Sequence, residues 1–263
     1  MSKVRAKKHL GQHFLNDLSA AKKIVDLLQP HGKYTKVLEI GPGMGVLTQF
    51  FEKRADIDAF LVELDTESVS YLQEHFPSFK NKIFSEDFLQ MWVEKGLNLQ
   101  ENEQYGIIGN FPYNISSQIF FKVLNEKDQV AEVVCMLQKE VARRIASEPG
   151  NKDYGILSVL LQAYYKIDYA FSVPPGAFTP PPKVQSGVIR LVRNENSSLD
   201  CDEKRFKSIV KTAFNQRRKK LSNALKPLGI EPAHPWVDKR AEQLHYQEFI
   251  ELTKWADRQL PID

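Results

Sequence analysis

Two rhythms of apolar residues alternate along the chain up to about residue 193. Short runs rich in β-branched residues at 37–40, 59–63, 83–85, 106–109, 132–137, 169–173 and 187–192 predict strands. Helical spacing fills most gaps between them, at 46–54, 67–75, 115–124, 138–146 and 155–165. An earlier helix is expected at 17–29, where Leu18, Ala21, Val25 and Leu28 share one face, Asp17 caps the start and Pro30 stops it. This alternation predicts an α/β fold with a mostly parallel seven-stranded sheet and right-handed crossovers. Only the loop 174–183 separates the last two strands, so they are expected to pair antiparallel at one edge.

The rhythm changes after a polar stretch at 194–198. Beyond it Phe206, Ile209, Val210, Ala213, Phe214, Leu221 and Leu225 form one helical stripe over 203–225, and a weaker helical pattern covers 239–258. The expected organisation is a Rossmann-like domain at 1–194 and a small all-helical domain at 195–263.

Composition adds exclusions. With 263 residues, 42% hydrophobic and 26% charged, the chain is of ordinary globular type. Cys135 and Cys201 lie far apart with no CxxC pair, so neither a disulfide framework nor a thiolate metal site is expected. No stretch approaches the ~20 apolar residues of a membrane span, and the basic N-terminus lacks the apolar run of a signal peptide. The expectation is a cytoplasmic protein without membrane or metal partners, and nothing demands more than a monomer.

Net charge is only +3, but its distribution is uneven. Lys3, Arg5, Lys7 and Lys8 precede the first acid, and residues 204–226 hold nine Lys or Arg and no acid. On a helix over 203–225, Lys204, Lys207, Lys211 and Arg218 share one stripe, which Arg217, Lys219 and Lys220 widen. Such a surface fits a phosphate backbone, although a solvated helix face has the same appearance. Lys7 and Lys8 are expected to reach the same nucleic acid if the N-terminal arm folds over the site.

The candidate chemistry sits at strand ends. The first strand runs into Gly41-Pro42-Gly43-Met44-Gly45, a turn that lets a ligand approach the backbone, with neither P-loop nor dinucleotide spacing. The second ends at Glu63, about 20 residues on, where nucleotide folds place an acceptor for both ribose hydroxyls, with Asp65 as the cap of the next helix. The third ends at Asp87 and Phe88, an acceptor for an adenine amino group and a flank for its ring. Each alone resembles a tight turn or a capping acid, but together they converge on one nucleoside.

The fourth strand ends in Gly109-Asn110-Phe111-Pro112-Tyr113. An exocyclic adenine amine is a poor nucleophile because its lone pair is delocalised into the ring. Acceptors aimed at its N–H groups favour pyramidal nitrogen and free that pair for attack on a sulfonium methyl. Asn110 offers a side-chain carbonyl and Phe111, held extended by Pro112, a backbone carbonyl. Tyr113 offers a face on which an extruded base stacks. Phe178, in a loop stiffened by three prolines, is the candidate for the other face, with Lys183 near phosphate.

Taken in order, His9-Leu-Gly-Gln-His-Phe-Leu15, Leu38-Glu-Ile-Gly-Pro-Gly-Met-Gly45, Val62-Glu-Leu-Asp65, Gly109-Asn-Phe-Pro-Tyr-Asn-Ile115, Phe178-Thr-Pro-Pro-Pro-Lys-Val184 and Gln216-Arg-Arg-Lys-Lys-Leu221 resemble the ribosomal RNA adenine dimethyltransferase family. The resemblance covers residues 9 to about 255. It implies S-adenosyl-L-methionine as cofactor, and two methyl transfers to N6 of each of two adjacent adenines near the 3′ end of small-subunit (16S) ribosomal RNA, within an assembling 30S-type subunit. It also implies cofactor contacts from Gly41, Glu63, Asp87 and Asn110 and a backbone contact from Leu15. Where the family commonly has Asn, this chain has His13, which the resemblance places near the methionine part of the cofactor. Two alternatives stay open: a large-subunit adenine methyltransferase of the macrolide-resistance type, and a non-catalytic RNA-binding assembly factor. A nicotinamide dehydrogenase fails on the glycine spacing.

Overall fold

A computed structural model of the chain describes residues 4–7, 10–195 and 198–259. They gather into two compact units, one of residues up to Ala142 with Ile167–Arg193, the other of Arg143–Lys166 with the residues from Asn194 onward.

The strands are β1 (Phe14–Leu15), β2 (Lys36–Ile40), β3 (Asp58–Val62), β4 (Ile83–Phe84), β5 (Tyr105–Asn110), β6 (Val130–Gln138), β7 (Tyr165–Val173), β8 (Phe178–Thr179) and β9 (Ser186–Arg193). Seven of them form one sheet in the order β4-β3-β2-β5-β6-β9-β7. Neighbours from β4 through β6 pair in parallel, and β9 runs antiparallel to β6. The central strands are continuous apolar runs because both faces are covered, whereas β7 at the edge alternates buried and open positions. Its Lys166 and Asp168 occupy that alternating part, which is why composition marked only its second half as strand. Chain order reverses between β2 and β5, and in open parallel sheets the crevice for a ligand lies outside the carboxyl ends at that point.

The helices are α1 (Leu18–Asp26), α2 (Thr66–His75), α3 (Val93–Gly96), α4 (Ser116–Asn125), α5 (Lys139–Ile145), α6 (Ile156–Gln162), α7 (Glu203–Asn215), α8 (Leu221–Ala224) and α9 (Tyr246–Gln259). Asp17 caps α1 by accepting from the Ala20 N–H, and Asp65 caps α2 by accepting from the Glu67 N–H. The helix expected at 46–54 is a 3-10 turn over Thr48–Lys53. A buried knot fastens the segment after α1 to the sheet: Glu132 accepts from the Tyr34 hydroxyl at 2.6 Å and from Arg190 Nε at 2.5 Å.

Outside the main sheet, β1 pairs antiparallel with β8, Leu15 opposite Phe178. Asn16 extends the ribbon by donating its N–H to the Ala177 carbonyl at 2.7 Å. No periodic signal announces it, since each strand is two residues long.

In the second unit α6 packs against α7 and α9, so residues 143–166, expected within the first domain, cluster with the C-terminal helices instead. Phe206, Ile209, Val210 and Ala213 of α7 are buried with Phe249, Leu252 and Ala256 of α9, and the Phe214 ring lies 6.1 Å from those of Tyr154 and Phe249. The helix expected to run to 225 stops at Asn215. After a turn Lys220 is extended, and the Leu221 N–H bonds the Lys239 carbonyl at 2.8 Å. Arg218 is therefore not on one helical stripe with Lys204, Lys207 and Lys211, a correction to the expected surface. Among the described residues no helix is long and apolar enough to cross a membrane.

Candidate active site

At the carboxyl ends of β2, β3 and β5 the chain encloses a cleft of about 190 Å³. That is far above the roughly 10–15 Å³ that admits one water, so the cleft has room for a small organic molecule. His13, Leu15, Gly41, Gly43, Glu63, Asp87, Phe88, Asn110, Phe111, Pro112 and Tyr113 all line it. Gly41 has a left-handed backbone (φ +66°) and its missing Cβ would point into open space, the cradle that a ligand lying against the backbone requires.

Glu63 follows β3 directly, and its carboxylate accepts from the Gly43 N–H at 3.0 Å and the Asp65 N–H at 2.8 Å. Burial pushes the Glu63 carboxyl up, against the pull of those two N–H groups. A carboxylate oxygen has lone pairs to spare beyond one such bond, so Glu63 can still accept from a vicinal diol. Asp87 braces its own loop, accepting from the Leu89 N–H at 2.9 Å. Phe88 is buried, with Lys122 Nζ 5.3 Å from its ring centroid.

Sequence reasoning missed Glu39, a buried acid on β2 that also lines the cleft. It accepts from the Thr48 hydroxyl at 2.7 Å, and burial, reinforced by the nearby Glu63 charge, pushes its carboxyl up to about 8. The available signal was an acid in mid-run of the apolar strand 37–40.

The N-terminal arm closes one side of the cleft. The Phe14 ring would sit 2.9 Å from a Cβ on Gly43, so only glycine lets the arm lie on the turn. Asn110 donates its amide Nδ2 to the His13 carbonyl at 2.9 Å, which leaves the amide oxygen as its acceptor for the cleft. Phe111 keeps its ring in the core, edge-on to Phe120, so its backbone is what it can present to a ligand. The Tyr113 hydroxyl is 2.6 Å from the buried Ser186 hydroxyl, a partner the sequence did not disclose.

Several expected residues are elsewhere. Phe178 is 3% exposed and belongs to the hydrophobic core, because its pairing with Leu15 turns it inward. It is not the second face of a base sandwich. Lys7 is ion-paired with Asp65 and Glu67, not turned outward toward nucleic acid. Lys8 lies outside the described residues. Lys183 is exposed and does not line the cleft. In the helical unit Arg217 pairs with Glu242 and Lys220 with Asp238, while Arg218 and Lys219 are exposed.

A glycine turn, a buried carboxylate directly after the next strand and an Asn-Phe-Pro-Tyr corner at the switch point stand together on a Rossmann-like methyltransferase fold. The chain belongs to the ribosomal RNA adenine dimethylase family, whose model matches residues 3–258. It is 55% identical over 256 residues to a ribosomal RNA small subunit methyltransferase A of Cytophaga hutchinsonii, covering 96% of this chain and 98% of that protein. The protein of the same name in Parabacteroides distasonis is 53% identical, covering 99% and 97%. Among solved structures, a dimethyladenosine transferase from Plasmodium falciparum shares the fold with a TM-score of 0.77 at 21% identity, covering 94% of this chain and 98% of that one. The 23S rRNA methyltransferase ErmE aligns with a TM-score of 0.65 at 25% identity, covering 92% and 99%.

Proposed function

We propose that the chain transfers methyl groups from S-adenosylmethionine to N6 of two adjacent adenines near the 3′ end of small-subunit ribosomal RNA, in an assembling subunit in the cytoplasm. The single observation that carries the chemistry is Asn110, whose amide N–H is committed to the His13 carbonyl and whose oxygen is thereby reserved for the cleft. The full-length relatives above, both small-subunit enzymes by name, support this substrate over the large-subunit alternative.

Leu15, Gly41, Gly43, Glu63, Asp87, Phe88 and Asn110 would hold the cofactor. Bound there, it supplies an electrophilic methyl on a sulfonium sulfur. Glu63 takes the ribose hydroxyls while its bonds to Gly43 and Asp65 keep it still. The Asn110 oxygen and the Phe111 carbonyl each accept one N–H of the target amine, localising the lone pair on nitrogen. Neutral acceptors suit this step, because the nitrogen gains positive charge as the C–N bond forms and then gives its proton to solvent, so no strong base is required. Tyr113, with its hydroxyl tied to Ser186, offers a fixed ring for the extruded base. The helical unit supplies affinity for the RNA backbone through Lys204, Lys207, Lys211, Arg218 and Lys219.

The test is to incubate the protein with labelled cofactor and unmethylated small subunits and to map methyladenine by mass and primer extension. Two neighbouring dimethyladenosines near the 3′ end are expected. Label confined to large-subunit RNA, or none in either RNA, would overturn the reading.

A further inference from the structure

Asp87 and Phe88, two of the residues assigned to the cofactor, belong to no strand or helix and occupy the segment between β4 and α3. A single tight turn gives that segment its shape. The Gln90 and Met91 N–H groups both donate to the Asp87 carbonyl at 2.9 Å, and the Leu89 N–H donates to the Asp87 carboxylate at the same distance. These bonds close the turn on itself, and a turn so closed can still pivot as one body. Its far end needs a fixed partner.

That partner comes from α4. The Lys122 ammonium donates to the Met91 carbonyl at 2.7 Å and lies 5.3 Å from the centroid of the Phe88 ring. It is aimed from behind by Glu126, one helical turn on, whose carboxylate pairs with it at 3.0 Å. Glu126 in turn accepts from the hydroxyl of Tyr105, a buried residue at the start of β5, at 2.8 Å. The Lys122 side chain is 15% exposed, so little water competes for these partners. Lys122 does not line the cleft, and whatever it does to a ligand there passes through Asp87 and Phe88.

We infer that Lys122 is a positioning residue for the purine of the cofactor: by clamping the Asp87–Met91 turn to α4 it fixes where the Asp87 carboxylate meets the 6-amino group. This rests on the cofactor assignment given above. A hydrogen bond weakens steeply with distance and angle, whereas stacking tolerates small shifts. A carboxylate left to drift therefore loses the amino group first, and selectivity for that group falls while the rest of the affinity survives. An ordinary ion pair between residues four apart on α4 would act on folding stability and leave selectivity alone.

Two variants test this. Lys122→Met keeps the stem and removes the ammonium, and Lys122→Gln stays polar but is shorter. Calorimetry measures the affinity of each for S-adenosylhomocysteine and for its analogue in which hydrogen replaces the purine 6-amino group. The unmodified chain is expected to prefer the amino form by roughly tenfold or more, the worth of a bond to a charged acceptor. In either variant that preference shrinks by about fivefold, the scale of one ordinary hydrogen bond. Affinity for the analogue scarcely changes, which also shows that the variant folds. If the variants keep the preference, if both ligands weaken by the same factor, or if the unmodified chain has no preference, the proposal is overturned. Should Lys122→Met not fold, Lys122→Gln decides between the same outcomes. An unmodified chain that binds neither ligand removes the cofactor assignment and this proposal together. One that binds and discriminates, with variants that discriminate equally well, removes this proposal alone.

Discussion

The ammonium of Lys7 pairs with the carboxylate of Asp65, whose side chain is wholly buried two residues beyond Glu63. Burial by itself would push the Asp65 carboxyl up. Donors from Lys7, Gln12 and Ser68 and the Glu67 N–H outweigh it and hold the group below the usual carboxylate range. The arm is therefore buckled to the start of α2 beside Glu63, the acid proposed to meet the ribose.

From this buckle, Lys7→Met is expected to weaken cofactor binding several-fold without changing the salt dependence of RNA binding. Glu63→Ala, which removes a charged acceptor outright, should cost more, about 1.5 to 3 kcal/mol. Calorimetry with the cofactor ranks the two variants. A shallower salt slope in Lys7→Met would return that lysine to the RNA-binding surface.

Asn110→Ala deletes the donor to the His13 carbonyl and, with it, the acceptor proposed for the reacting nitrogen. Turnover at saturating cofactor and RNA should fall by roughly a hundredfold, the scale seen when one preorganised polar partner of a transition state is lost. RNA affinity should scarcely change, because phosphate contacts dominate it. Single-turnover methyl transfer beside a binding titration checks both halves, and full recovery of rate at saturation would strip Asn110 of its catalytic role.

Glu39 has a carboxyl raised from 4.5 to about 8 in the fold, so the native state holds its proton more tightly than the unfolded chain does. That contribution to stability is fully present below pH 4.5 and is lost as pH rises toward 8, by about 1.4 kcal/mol per pH unit. Glu39→Gln is neutral throughout and keeps an acceptor for Thr48. Its melting temperature should gain on the parent's between pH 5 and pH 8. Parallel pH profiles for the two proteins would show that Glu39 does not titrate in this window.

Arg218 and Lys219 are exposed, whereas Arg217 and Lys220 are engaged in ion pairs with Glu242 and Asp238. The double change Arg218→Ala with Lys219→Ala should flatten log affinity against log salt by about 1.5, at 0.7 to 0.9 per phosphate contact. Arg217→Ala should instead lower thermal stability, since Glu242 loses the partner that bonds it at 2.5 Å. An unaltered slope in the double variant would make that surface an ordinary solvated face.

Alternation of apolar runs with helical spacing was enough to predict a seven-stranded, mostly parallel sheet, because burial on both faces leaves a composition that a local window detects. The residues at strand ends were legible for a related reason. Gly41, Glu63, Asp87 and Asn110 sit where backbone geometry demands glycine, a cap or a turn former, and parallel strands bring such ends to one edge. What escaped depends on partners distant in the chain. The β1–β8 ribbon joins two-residue segments more than 160 positions apart; it turns Phe178 into the core and, with the bonds of His13 to Pro180 and Asn110, holds His13 beside Tyr113. Lys7 looked like a phosphate ligand because basic composition is the same whether the partner is a nucleic acid or Asp65. α7 stops at Asn215 in a turn, and beyond it the Leu221 N–H bonds the Lys239 carbonyl, a partner 18 positions on that no local window contains. Sequence periodicity and turn chemistry determine which elements form and which residues stand at their ends; long-range pairing, whose energy no local window contains, decided which of those residues face the cleft.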